Sequence, residues 1–327
     1  MSDGEIGFNN LCGWLKMKHL VLIDTLANTQ NMHAAAELMK LTQPALSKML
    51  RDVEEMLGFR LFERLPRSMP TTELGEHVAR YARVILNDTE KFVAQTNKLR
   101  QGGHGYLKVG TIFAATFIVL PKAINRIKEQ RPLLSIEVVE QTSDKLLEML
   151  EQKQLDLMVG RFTGDHHRRI FEFSPLGPEP FTLVVNPSHP LAGKKKIDPT
   201  ELSEWPWVLY PAGTPIRERI NHALADYGIE PPANTVDTIS VPTFLQLLLS
   251  GPTIALLPVP MVQSHLDTGQ LQQLDCDFNV TPLEYGVITR KGEPLSTSAR
   301  LFAEALISEF AAQKNKKLIN AWINETP

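Results

Sequence analysis

Cysteine is nearly absent: the 327 residues hold two, Cys12 and Cys276. They fall in different predicted domains, so neither a disulfide framework nor an internal redox pair is expected, and both read as reduced, inert thiols. No apolar run reaches the roughly 20 residues of a membrane-crossing helix, so no membrane partner is expected. Asp3 and Glu5 precede any apolar stretch, unlike the cationic start of a secretory signal, and a cytoplasmic location is the expectation. The nine histidines show no ligand spacing. His166-His167, adjacent on a charge-rich loop, cannot share a helical face and read as solvated; no metal and no cofactor is expected. Phosphate loops of the GxxxxGK type, HExxH and GxSxG are missing. An enzyme therefore competes as a class without a motif behind it. An excess of cationic charge is missing as well. Residues 1–100 carry 13 Lys and Arg against 12 Asp and Glu, and the remainder 21 against 25. The asymmetry has the sign that nucleic-acid binding requires, but it is small, so a motif has to carry that reading.

Such a motif lies between Asn31 and Thr72. Ala34, Ala35, Ala36 and Leu38 predict a compact first helix, and Met39-Lys40-Leu41 a turn. Thr42 is an N-cap, and Pro44 suits a first helical turn, where its missing N–H costs nothing. A second helix is predicted from about Gln43 to Leu57, with Ala45, Leu46, Met49, Leu50, Val53 and Leu57 as its buried stripe and Gly58 as its stop. Gln43, Ser47, Lys48, Arg51 and Asp52 fall largely on the other side. Gln bonds adenine bidentately, Lys prefers guanine and Ser is permissive; the first turn of a recognition helix is the part that meets base edges. Phe59 to Phe62 reads as a strand, and Arg64 and Arg67 flank a turn with Pro66 and Pro70. That wing would set two guanidiniums on phosphates, fixing register without reading sequence.

Ala-Ala in the first helix, Gln43-Pro44-x-x-Ser47, Leu57-Gly58-x-x-Leu61-Phe62-x-Arg64 and Thr72-x-x-Gly75 follow in order. This series closely resembles the LysR-type transcriptional regulators. The resemblance implies an all-α winged helix-turn-helix within residues 1–72, whose first 14 residues read as an irregular leader, with Thr72 joining Arg64 and Arg67 on the DNA backbone. It further implies a linker helix over 73–101 and an effector-binding domain over 105–312. Residues 313–327 read as a polar tail beyond the usual family length.

From Thr72 to Arg100 the chain is helix-forming, with no Gly or Pro after Gly75. A heptad frame sets Leu74, Val78, Tyr81, Ile85, Phe92 and Leu99 on one seam, interrupted at Asp88 and Gln95. A helix about 40 Å long cannot bury that stripe alone; it packs on its own copy or on its own domain. The family's linker helix implies the former, a dimer or homotetramer on an interrupted palindrome of double-stranded DNA, with RNA polymerase as a further partner.

After the glycine-rich hinge Gln101 to Gly105 the period changes. Leu107–Gly110, Ser135–Glu140 and Leu155–Gly160 read as strands, alternating with helices over Leu120–Gln130 and Ser143–Gln152. That alternation predicts a parallel sheet covered by helices. Phe181–Val185, Trp207–Tyr210, Thr235–Ile239 and Thr253–Leu257 begin a second set, Leu283–Thr289 is a strand that could return to the first, and Ser298 to about Phe310 is a helix. Gly251 to Pro258 looks like the family's glycine-strand-proline element. The resemblance implies two α/β subdomains in a periplasmic-binding-protein-like arrangement.

Ligands of open α/β sheets bind beyond the carboxyl ends of strands. That rule selects Thr111, Ile112, Phe113, Thr142, Ser143, Arg161 and Phe162 in the first half, and Tyr210, Ser240, Val241 and Pro258 in the second. Capping is the other use open to Thr142 and Ser143, and solvation the other one open to Arg161. Hydroxyls, one guanidinium and aromatics suit a small anionic metabolite with an apolar or ring portion, and the expected effector is a small organic acid, an aromatic acid or a sugar bound between the two subdomains. A DNA-binding protein that works without a ligand is a third reading. Glu179, Asn186 and Lys194-Lys195-Lys196 read as surface features.

Overall fold

The computed structural model describes residues 6–325 apart from Arg67, Ile118 and Asn279; the side chains of Ala114 and of 313–325 also lie outside the described set. The chain divides into two compact units between Gln101 and Gly102, with Gln152–Gln154 counted in the first.

The first unit is helical: α1 (Phe8–Trp14), α2 (Met17–Thr29), α3 (Met32–Leu38), α4 (Gln43–Leu57) and α5 (Glu73–Arg100). α1 corrects the irregular leader. Gly7 stands at its N-cap and Gly13 near its end, so the glycines bound a short helix instead of excluding one. Its junction to α2 is tied by the Lys16 N–H donating to His19 Nδ1 at 3.2 Å, with the Trp14 ring 4.7 Å from the imidazole. Burial and two neighbouring lysines lower the His19 pKa, which keeps the accepting nitrogen free of a proton near neutral pH. The Asn31 side chain caps α3, accepting from the His33 and Ala34 N–H groups at 2.9 and 3.1 Å. α4 runs over the predicted span, with Pro44 in its first turn and Gly58 at φ 79° after its last. Leu22, Ile23 and Leu26 of α2 close on Leu46, Leu50 and Val53 of α4 and on Leu61 and Phe62, all essentially without solvent exposure. Each such side chain contributes about 1.5–3 kcal/mol over an exposed one. Ala45, predicted inside, is exposed: it lies in the first turn, which projects beyond the core.

α5 presents two faces. Gly75, Ala79 and Ala82 are buried, and Arg83 binds Asp24 Oδ1 at 2.8 Å and Asn28 Oδ1 at 2.7 Å, fastening α5 to α2. Leu74, Tyr81, Ile85, Phe92 and Leu99 are exposed. Val78, the sixth residue of the predicted seam, is half-buried against the unit's own core. Acidic Glu73 and Glu76 open the helix and Lys98 and Arg100 close it, matching its dipole.

The second unit holds two lobes. In chain order its elements are β1 (Tyr106–Thr111), α6 (Phe113–Thr116), α7 (Val119–Gln130), β2 (Ser135–Glu140), α8 (Ser143–Glu151), β3 (Leu157–Gly160), α9 (His167–Ile170), β4 (Phe171–Glu179) and β5 (Phe181–Val185). β6 (Trp207–Leu209), α10 (Pro215–Asp226), β7 (Thr235–Asp237), α11 (Val241–Ser250), β8 (Ala255–Pro258), α12 (Val259–Asp267), β9 (Gln272–Gln273), β10 (Leu283–Arg290) and α13 (Thr297–Glu325) follow. The first sheet has the order β2-β1-β3-β10-β4. β1 pairs in parallel with β2 and β3, and β10 runs antiparallel to β3 and β4. The second lobe joins β8-β5-β9 to the pair β6-β7 through a bridge between Trp207 and Ile254. Leu107, Val109, Leu157, Ile288 and Phe302 centre the first core, and Trp207, Leu209, Phe244 and Val262 the second.

The chain crosses between lobes twice, from β4 through Pro180 into β5 and from β9 back to β10. The sequence reading did not anticipate β4, because Pro175, Gly177 and Pro178 look like a loop. On the sheet's edge β4 needs only one row of hydrogen bonds, so proline is tolerated there. The sequence reading also gave α10, α11 and α12 no span. The expected tail from 313 continues α13 as far as Glu325.

Candidate functional site

Gln43, Pro44, Lys48 and Arg51 are exposed at the start of α4, and Ser47 is half-buried. Beside them the chain forms a small hairpin: Phe62 bridges Thr71, the Glu63 N–H donates to the Pro70 carbonyl at 2.9 Å, and the Leu65 N–H to the Ser68 carbonyl at 3.1 Å. Arg64 stands half-exposed on it, 3.5 Å from Glu54; Arg67 lies outside the described residues. Thr72 has a structural task within the protein. Its hydroxyl donates to the Arg60 carbonyl at 2.9 Å and accepts from the Gly75 N–H at 2.9 Å. It caps α5 and ties that helix to the hairpin, which leaves little of it for a phosphate.

Sequence reasoning missed Glu54. This buried carboxylate of α4 accepts from the Leu61 N–H at 2.9 Å and the Phe62 N–H at 3.4 Å, and its other oxygen faces Arg64. It locks the hairpin to the helix that carries Gln43 and Lys48. The available signal was position: Glu54 falls on the same face as Leu46, Leu50 and Val53. Glu54→Ala leaves two buried N–H groups unpaired, and a loss of about 1.5–3 kcal/mol in urea denaturation is expected. Glu54→Gln, which keeps an acceptor, should lose less; equal losses would show that the acceptor is immaterial.

The second unit contains a cavity of about 60 Å³ between its lobes. Of the predicted ligand residues, Ile112, Phe113, Thr142, Ser143, Arg161 and Tyr210 line it. The other five are placed elsewhere. Thr111 is fully buried, its hydroxyl donating to the Ile112 carbonyl at 3.0 Å. Phe162 packs 5.3 Å from the Phe173 ring. Ser240 caps α11, with Val241 following in the first turn against the second core. Pro258 pairs in register with Phe181. The strand-end rule finds the neighbourhood, but a strand's last residue alternates between sheet faces, and one step turns it away.

The cavity also takes residues the sequence reading did not assign, among them Glu140, Gln141, Glu179, Phe181, Thr214 and Ile239. Glu179 is the main correction. Expected on the surface, its side chain is 6% exposed and forms an ion pair with Arg161, itself 11% exposed. It ends β4, so the crossing carries it inward. Burial holds the Glu179 carboxyl above its ordinary range despite the guanidinium beside it. Arg161 also donates its N–H to Ser143 Oγ at 3.2 Å, and its guanidinium lies 5.8 Å from the centre of the Tyr285 ring. Burial raises the Tyr210 phenol and keeps it protonated. Desolvation raises Glu140.

Asn186, also expected as a surface feature, is half-buried and donates to the Leu249 carbonyl at 2.7 Å. His167 is half-buried rather than solvated, with its ring facing those of Phe162 and Phe171. Lys194 to Lys196 are exposed. Cys12 is exposed, and burial pushes the Cys276 thiol up to about 11, so it is no thiolate at neutral pH. Among the described residues no group of His, Cys, Asp and Glu is arranged to hold a metal, and no helix is long and apolar enough to cross a membrane.

A polar-headed helix braced by a wing, followed by a two-lobed domain with a lined cleft, defines a regulator that joins a DNA reader to a small-molecule receptor. Residues 17–76 match the family of bacterial regulatory helix-turn-helix proteins of the lysR type, and residues 100–311 the LysR substrate binding domain. The chain belongs to the LysR family, whose members are DNA-binding transcriptional regulators with an effector-binding domain, not enzymes. It is 30% identical over 295 residues to the HTH-type transcriptional regulator GbpR of Azospirillum brasilense, covering 89% of this chain and 86% of that one. To the uncharacterized HTH-type transcriptional regulator YdcI of Escherichia coli K12 it is 25% identical, covering 89% and 95%. In fold it is similar to full-length CbnR in complex with its target DNA, with a TM-score of 0.64 at 20% identity over 90% of this chain and 100% of that one.

Proposed function

We propose that Gln43, Pro44, Ser47, Lys48 and Arg51 read base edges in the major groove, while Arg64 and Arg67 hold phosphates, with at most an auxiliary contact from Thr72. The observation that carries this reading is the exposed, polar first turn of α4, held by Glu54 against a hairpin that presents Arg64. The exposed stripe Leu74, Tyr81, Ile85, Phe92 and Leu99 pairs with a second copy, giving a dimer or tetramer on an interrupted palindrome. A small molecule held in the cleft by Ile112, Phe113, Thr142, Ser143, Arg161 and Tyr210 favours one arrangement of the DNA-binding pairs over another, and with it the access of RNA polymerase. The protein works in the cytoplasm.

Two substitutions test the DNA half. Gln43→Ala is expected to cost about 1–3 kcal/mol at the specific site and little on random DNA. Arg64→Ala is expected to weaken binding to all DNA and to reduce the salt slope by roughly one ion. Binding isotherms at several salt concentrations separate the two; identical behaviour would overturn the division into readers and positioners.

A further inference from the structure

The charges on the cavity wall say what kind of molecule it admits. Glu179 and Glu140 lie on it as carboxyl groups, and Arg161 is the one cation among the described residues that line it. Arg161 is already matched, because Glu179 binds its guanidinium away from solvent. An anion entering the cleft would find the one guanidinium already paired with Glu179, with Nε alone left to donate, and would meet two carboxyl groups. A cation would meet the buried guanidinium. An anion would gain at most the Arg161 Nε–H and a cation only Glu140, so either would lose its water for a poor return, and that loss is the expensive one. A neutral ligand carrying both donors and acceptors meets no like charge.

The remaining wall favours hydroxyl groups. Arg161 Nε is buried without a partner in the protein, so the guanidinium is one acceptor short. Glu140 and Glu179 can accept from hydroxyls, and Thr142, Tyr210 and Gln141 can donate and accept. The rings of Phe113 and Phe181 add apolar faces for C–H groups.

We infer that the effector is an uncharged, hydroxyl-rich small molecule, a sugar or cyclic polyol, and not a carboxylic acid. The inference rests on the cleft being the effector site.

The test uses the full-length protein and matched pairs that differ by one carboxylate: D-glucose with D-glucuronate and D-galactose with D-galacturonate, together with L-arabinose, myo-inositol, D-glucosamine and benzoate. Thermal shift and calorimetry are read for each. At least one neutral compound is expected to raise Tm by several degrees while its matched acid binds at least tenfold more weakly. Glu179→Gln, which keeps an acceptor for Arg161 but removes the charge, should narrow or reverse that preference. Should this variant be too unstable, Glu140→Gln at the cleft's mouth serves, with a smaller shift in the same direction. A wild-type protein that binds an acid or the amine as tightly as its neutral counterpart overturns the inference and leaves the cleft standing. So does a panel in which no neutral compound binds. Neutral-ligand binding that is indifferent to Glu179→Gln, to Glu140→Gln and to Ser143→Trp, a substitution that fills the cleft, overturns the cleft as the site.

Discussion

Gly75→Ala is expected to unfold or severely weaken the DNA-binding unit, although at an open helical position the same change stabilises by about 1 kcal/mol. A Cβ at Gly75 would stand 1.8 Å from the Leu61 carbonyl oxygen and 2.7 Å from its carbon. Both belong to backbone that also accepts from the Thr72 N–H at 2.9 Å, so it cannot yield alone. The start of α5 has to back away from the hairpin, and the cap bond from the Gly75 N–H to Thr72 Oγ is stretched with it. Overpacking of this kind costs about 1–3 kcal/mol, and the lost cap about 1 more. Urea denaturation followed by a probe in this unit measures the loss, and DNA binding should fall in parallel. An alanine variant as stable as wild type would mean that helix and hairpin do not meet this closely.

The second large effect belongs to the Arg161–Glu179 pair. Arg161→Met strands a buried carboxylate, and breaking a buried pair from one side costs about 3–5 kcal/mol. The pH dependence has a definite sign. Burial already raises Glu179, and removing the guanidinium raises it further. A carboxyl whose folded pKa lies above its unfolded value contributes stability below the unfolded pKa and loses it as pH rises through the folded one. The variant's deficit should therefore be largest near neutrality and shrink on acidification toward the ordinary carboxylate range. The double change Arg161→Met with Glu179→Leu removes both charges and should recover most of the loss. Chemical denaturation of the two single variants and the double at two pH values gives the coupling directly. Additive losses, or a deficit indifferent to pH, would show that the pair is not buried as described.

The DNA-binding unit was legible because its information is local. Helix, turn and helix follow within 26 residues, from Met32 to Leu57, and the second helix is bounded by Thr42 and Pro44 at its start and Gly58 after its end. Even there, local patterning placed Ala45 inside, did not show that Thr72 caps α5 and overlooked Glu54, because a cap or a buried carboxylate is defined by what stands opposite it. In the two-lobed unit, alternation with a hydrophobic period located β1, β2, β3 and β5 but passed over β4, whose prolines are permitted only by its place at the sheet's edge.

By itself, then, the sequence determined the family, the recognition helix, the order of domains and half of the cleft's predicted wall. Each of these rests on residues close in sequence or on a period repeated along one element. Tertiary structure alone decided that Gly75 lies against Leu61, that α5 keeps one face for its own unit and exposes the other, and that Glu179 leaves the surface to pair with Arg161. Residue 179 reaches residue 161 only because the chain returns after β3 and β4 then runs the same way as β3, both antiparallel to β10, to end at the same side of the sheet. A contact made by such a return has no period in the sequence, and its charge balance becomes readable only once the chain has closed.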